Sequence, residues 1–326
     1  MSDLPELLDY VGEFGPELVL FLPFVTWLSR EGLLRRRRIG TYEGMRCFYE
    51  DLDCAGIVEK PGPRRYVRAP DRLPYLPERN EHRFAGRSER LVFPDLRRKF
   101  REHPIPHALA QAAATRSLLV VHNKHGIEWW GRGPFNHMSA ATLDAIFALE
   151  DTFTIVYVRH GMTGALRGYS ADHNRPLPFD DRAILARHRG VWCFDDLAAE
   201  DGTDVNRLKN AIYARCFHFV SSQGGGAHHC AYFSGSMLAV LHRRGKESRF
   251  AYGRGYYDRL SDPAPVRFIC ASEAELVDAV RSFADSSIED SRAVPGPSSA
   301  ALAGRLSPRS YTRRRVVEVA KRLLPR

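Results

Sequence analysis

Apolar residues gather in short runs along the second half of the chain, and turn signals or amphipathic stretches separate them. Ser117 to His122, Phe153 to Val158, Val191 to Phe194, Phe217 to Ser221, Met237 to Leu241 and Val266 to Cys270 each read as a buried strand. Between them lie helix patterns. Ala140 to Leu149 follows the N-cap residue Ser139, and Val205 to Cys216 carries Leu208, Ala211 and Ile212 on one face. Ala227 to Phe233 opens behind three glycines, and Glu273 to Ala284 follows Ser272. Alternating strands and helices predict an α/β unit built on a parallel sheet.

The first half is less regular. Leu18 to Ser29 reads as an apolar helix that Gly32 stops, and Ile39 to Tyr49 as a strand pair. Residues 51–93 are rich in Pro, Arg and Gly and read as irregular, with a short strand at Tyr66 to Arg68. Leu96 to Phe100 and His107 to Thr115 are helical, which places a domain boundary near residue 115. The expected organisation is an N-terminal Rossmann-like domain over 1–115 and a second over 116–284. A Ser-, Pro- and Ala-rich linker over 285–310 and a basic amphipathic helix over 311–326 follow.

Candidate chemistry collects where the predicted strands end. Phe217 to Ser221 runs into Gln223, Gly224, Gly225, Gly226 and then a helix, so the glycines fall at a strand-to-helix turn. Such a turn lets a phosphate approach the backbone, and the free N–H groups and dipole of the helix N-terminus favour an anion. His228 follows in that helix. Asn123 and Lys124 leave one strand, Arg159 leaves the next, and Glu247 comes after a third. In an open α/β sheet that edge holds ligands. Glu13 and Glu17 lie in a glycine loop, Tyr10 to Glu17, before the first helix. The helix dipole accounts for Glu17, whereas Glu13 has no evident structural task. His228, His229 and Cys230 do not make a metal site, because successive helical side chains point in different directions. Trp129 and Trp130 suit a core as well as a sugar-stacking platform.

At 326 residues with 44% apolar content, the chain can fill two cores. Its formal charge of +9 permits anionic partners, but no nucleic-acid-binding module is recognisable, and none is expected as a partner. Six scattered cysteines without a Cys-x-x-Cys pair fit reduced thiols, and no secretory signal is evident, so a cytoplasmic protein is expected. The basic tail suits peripheral contact with the inner membrane face or docking back on its own domain.

Three segments together resemble a family. They are Gly-x-x-Gly-x-Glu-Leu at Gly12 to Leu18, Asn-Lys-x-x-x-Glu-Trp at Asn123 to Trp129 with Gly-Pro-x-Asn at Gly133 to Asn136, and Ser-x-Gln-Gly-Gly at Ser221 to Gly225. The pattern resembles bacterial polysaccharide-biosynthesis glycosyltransferases with two Rossmann-like domains, the GT-B architecture. That resemblance implies a nucleotide-sugar donor on the C-terminal domain and a glycan acceptor on the N-terminal one. It assigns the donor to Asn123, Lys124, Arg159, Gln223, Gly224, Gly225, Gly226, His228 and Glu247, and general-base chemistry to Glu13. The GT-B resemblance implies transfer without a metal or other cofactor. A non-catalytic nucleotide- or glycan-binding protein on the same scaffold is the alternative.

Overall fold

The computed structural model describes residues 4–67, 90–124, 126–127, 136–159, 168–173, 175–202, 204–243 and 257–284. Glu247, Trp129, Trp130, the linker and the basic tail lie outside them. The fold is α/β, with two Rossmann-like parallel units. In the first, β1 (Leu7–Asp9), β2 (Arg38–Tyr42) and β3 (Gly56–Lys60) form a parallel sheet in that order. Between β1 and β2 the chain is helical from Phe14 to Arg30: α1 (Phe14–Pro16), a π-helical stretch (Glu17–Phe21), then α2 (Leu22–Arg30). Gly32, at φ +68°, follows the end of α2.

Two expectations for this unit fail. Ile39 to Tyr49 is one strand and a short helix, α3 (Arg46–Tyr49), because Gly44 turns the chain at φ +84° and Glu59 accepts its amide at 3.0 Å. The buried side chains of Cys47, Phe48 and Tyr49 make an apolar run too short to show its period in the sequence. Residues 51–93 hold β3, while Tyr66 and Val67 lie in no strand.

The second unit has six parallel strands: β4 (Leu118–His122), β5 (Thr154–Val158), β6 (Val191–Cys193), β7 (His218–Ser222), β8 (Met237–Leu241) and β9 (Val266–Cys270). Their spatial order is β9-β8-β7-β4-β5-β6. Counted within the sheet this is 3-2-1-4-5-6, the Rossmann order, whose reversal falls between β4 and β7. Neighbouring residues along each strand feed opposite cores. Leu118 and Val120 join one apolar cluster, Leu119 and Val121 the other. Burial on both faces is why these strands read as unbroken apolar runs.

Helices α4 (Leu96–Phe100) and α5 (His107–Thr115) pack on the second unit. Arg97 donates to the carbonyls of Ala214, Cys216 and Ser234 at 2.7–2.8 Å, and Thr154 Oγ1 donates to Ala112 O at 3.0 Å. Helix α6 (Ala140–Phe147) is capped by Ser139, and α7 (Asp181–Leu185) by Asp180. α8 (Phe194–Asp201) is followed by α9 (Val205–Arg215), capped by Asp204, which accepts from the amides of Asn206 and Arg207. α10 (Gly225–Ala231) leaves β7, and α11 (Glu273–Ala284) leaves β9. One apolar cluster runs from Leu8, Tyr10 and Phe14 through α9 and α10 to Val120, Val156 and Leu238. The first unit is therefore cored on one face of the second.

A buried ion pair fixes the junction. Glu17 and Arg64 are fully buried and paired, with Thr41 and Tyr49 also donating to the Glu17 carboxylate. Arg64 lies 4.5 Å from the Tyr42 ring, and its Nε donates to Ser170 O of the second unit at 3.0 Å. Burial opposes its charge, but the Glu17 and Asp172 carboxylates outweigh that and raise its pKa.

Replacing Arg64 by Met should leave Glu17 buried without its cation and cost about 3–5 kcal/mol in denaturant unfolding. Arg64→Met with Glu17→Gln should recover more than half of the loss. Equal losses in the single and double variants would show that the pair is not what the junction depends on.

Burial also pulls His137, His218, His228 and His242 from the ordinary 6.5 to about 4. Between those values the unfolded chain holds protons that the folded chain excludes. Stability is thus complete above about pH 6.5 and falls as pH drops towards 4, by up to about 1.4 kcal/mol per pH unit for each imidazole. Urea melts between about pH 7 and 5 should show this slope, and a flat profile would contradict it.

Candidate functional site

At the strand-order reversal β4 and β7 stay paired up to His122 and Ser221, and the loops that follow them bond to each other. Asn123 Oδ1 accepts from Ser222 Oγ at 3.0 Å, from the Met138 amide at 3.0 Å and from the Lys124 amide at 2.9 Å. Its Nδ2 reaches Met138 O, Tyr157 Oη and His137 Nε2 at 3.2–3.3 Å. Asn123 is thus a buried tie between loops. Gln223 Oε1 accepts from Asn136 Nδ2 at 2.8 Å, and Asn136 Oδ1 accepts the Arg243 amide at 2.6 Å, joining the exits of β7 and β8. These side chains tie together the exits of β4, β7 and β8.

Lys124 is half-buried directly after β4. Its charge helps depress His137, after burial and Arg159, and His242, after burial. Arg159, expected on the donor, has structural work instead. Its guanidinium pairs with Asp181 and donates to Lys124 O at 3.0 Å and Leu177 O at 2.6 Å, and so braces the Lys124 backbone.

The glycine turn follows β7. Gly224 is the N-cap of α10 at φ +137°, ψ −160°, a conformation that favours glycine. Gly225 and Gly226 are partly exposed, yet each also has a packing reason. A Cβ on Gly225 would stand 3.2–3.4 Å from Gly15 N, Gly15 Cα and Phe14 Cδ1, and one on Gly226 would stand 2.2 Å from the His122 ring. The first unit's loop therefore rests directly on the first turn of α10.

That contact decides where the remaining candidates sit. Glu13 is the N-cap residue of α1, half-buried, two positions before the glycine that touches Gly225. Its carbonyl accepts from Tyr10 Oη at 2.7 Å, and its side chain makes no bond capping α1. The structure thus brings Glu13 to the glycine turn. Glu17 is fully buried against Arg64 instead. His228 is buried beneath Gly15, its Nδ1 3.3 Å from a Cβ built there, and its ring lies 5.5 Å from Tyr257. His229 hydrogen-bonds Asn210 Oδ1 at 2.6 Å and packs on Phe14, Phe48 and Tyr213. Among the described residues no group of three His, Cys, Asp or Glu side chains gathers as a metal site.

Sequence reading missed Lys209 and Asp172. Lys209 is buried in α9, 5.0 Å from the Phe14 ring and 5.4 Å from Tyr169, and burial pulls its pKa to about 7. Asp172 accepts the Phe14 amide at 2.9 Å. Neither carries a local signal, since their contacts come from segments remote in sequence. No described helix is long and apolar enough to cross a membrane.

No family model matches the chain, and no curated protein does. Solved structures that do match include the S. aureus MnaA–UDP co-structure, at 12% identity and TM-score 0.36, over 81% of this chain and 71% of that one. Another is a Listeria monocytogenes protein assigned as UDP-N-acetylglucosamine 2-epimerase, at 12% identity and TM-score 0.35, over 86% and 74%. Neither is described as a glycosyltransferase. At such likeness, what this chain binds has to be argued from its own residues.

Proposed function

We propose that the chain binds a nucleoside-diphosphate sugar in the crevice outside β4 and β7 and transfers the sugar to a glycan-type acceptor. One observation carries this reading. At the reversal of a 3-2-1-4-5-6 parallel sheet, Lys124 stands on one side and the glycine turn on the other, with the Glu13 loop against that turn. Lys124 and the first-turn amides of α10 supply positive potential for a diphosphate. Gln223, tied to Asn136, fixes the turn's approach. By its sequence position after β8, Glu247 is assigned the ribose hydroxyls.

In transfer with inversion, Glu13 takes the acceptor hydroxyl proton as that oxygen bonds the anomeric carbon. The bond from that carbon to the diphosphate breaks, and its electron pair leaves on the diphosphate, next to Lys124 and the helix amides. A second reading, binding without catalysis, is favoured by the Gly15–Gly225 contact, which accounts for one glycine with no ligand at all.

Calorimetry with uridine and guanosine diphosphates tests the site. Lys124→Met should weaken the nucleotide that binds at least about tenfold, or about 1.4 kcal/mol. Absence of binding by either nucleotide would remove the proposal. Glu13→Gln should keep that affinity and lower transfer on the order of 10²- to 10⁴-fold, with turnover unaffected by EDTA. Binding with no turnover on any nucleotide sugar would select the second reading. Loss of turnover in EDTA would assign the diphosphate's charge to a metal.

The tail outside the described residues is proposed to hold the protein at an anionic surface. Truncation after Ala284 should leave the melting transition unchanged and reduce cosedimentation with phosphatidylserine vesicles. A large loss of stability would instead place the tail against the fold.

A further inference from the structure

We propose that Asp172 is a positioning residue: from the second unit it holds the Glu13–Gly15 segment of the first against the glycine turn. The functional meaning of this rests on the nucleotide-sugar reading, whereas the positioning itself does not. Glu13 occupies the N-cap position of α1, where a side-chain oxygen ordinarily accepts a first-turn amide. Its own side chain does not do so. The Asp172 carboxylate takes that place, accepting the Phe14 amide at 2.9 Å from a residue 158 positions away. Glu13 can therefore sit at a helix start without its carboxylate being drawn into the cap.

The segment that carries Asp172 is itself anchored to the first unit. Arg64 N donates to Ala171 O at 2.8 Å, Arg64 Nε to Ser170 O at 3.0 Å, and the Ser170 amide to Glu43 O at 3.1 Å. Arg64 also bridges Asp172 in parallel fashion. Arg64 is in turn paired with Glu17, which lies one turn beyond Phe14 in the same helical run. A closed circuit results, from Asp172 to Phe14, along the helix to Glu17, across to Arg64, and back to residues 170–172. On its far side the held segment lies close against α10, where a Cβ on Gly15 would stand 3.2 Å from Gly225 Cα. Any shift of the Phe14 amide is carried to the first turn of α10.

Two roles for Asp172 make different predictions. As a cap it needs an acceptor oxygen, which Asn retains. As a charge partner of Arg64 it needs the negative charge, which Asn lacks. Amide exchange in Asp172→Ala should rise at least about tenfold at Phe14 relative to Val120 and Val156, and Asp172→Asn should stay within about threefold of wild type. UDP affinity should fall about fivefold or more in Asp172→Ala and be rescued in Asp172→Asn. If Asp172→Asn is as deprotected as Asp172→Ala, the charge role is correct and the proposal is overturned. It is equally overturned if exchange at Phe14 does not respond. Should Asp172→Ala not fold, the protection of Phe14 in Asp172→Asn decides alone. A wild-type protein that does not bind UDP counts against a uridine nucleotide in the crevice, and the exchange comparison still settles the role of Asp172.

Discussion

The buried Arg64–Glu17 pair is the constraint from which the arrangement of the two units follows. A guanidinium and a carboxylate, both fully buried, demand polar partners besides each other, and three segments of the chain supply them. Thr41 and Tyr49 converge on Glu17 from β2 and α3, and residues 170–171 converge on Arg64 from the second unit. An apolar pair of the same volume would pack without fixing these directions. The ion pair orients the helix behind the Glu13 loop.

The glycine turn shows how one residue type answers two demands. Gly225 and Gly226 are needed by the chain itself, for Gly15 and for the His122 ring, and the same bareness is what the proposed anion contact with the first-turn amides would use. A glycine cluster of this kind is thus, before anything else, a place where the first unit is seated.

The strands of the second sheet were legible because burial on both faces turns them into continuous apolar runs, and its helices because Ser139 and Ser272 announce them. The first sheet was not. β1 has three residues, and β3 is a half-buried edge strand inside a stretch dominated by proline and charge. At the site, Lys124, Gln223 and the glycines were marked by following strands. The tasks of Arg159 and Glu17 could not be read, because Asp181 and Arg64 come from distant segments and no periodicity encodes such pairs. Asp172 is the extreme case: only the fold brings it to Phe14.

The strand order also bears on how the protein is made. β4 pairs with β7, Leu119 beside His218, so the centre of the large sheet stays open until nearly a hundred intervening residues have emerged from the ribosome. The small sheet is synthesised first, but Arg64 must wait for Ser170, 106 positions later, to complete its hydrogen bonds. The buried pair of the N-terminal unit is therefore completed only after Ser170 has been made. Until then Leu8, Phe21 and Phe48 lack the later residues of the cluster that buries them, the kind of exposure that favours aggregation of a nascent chain.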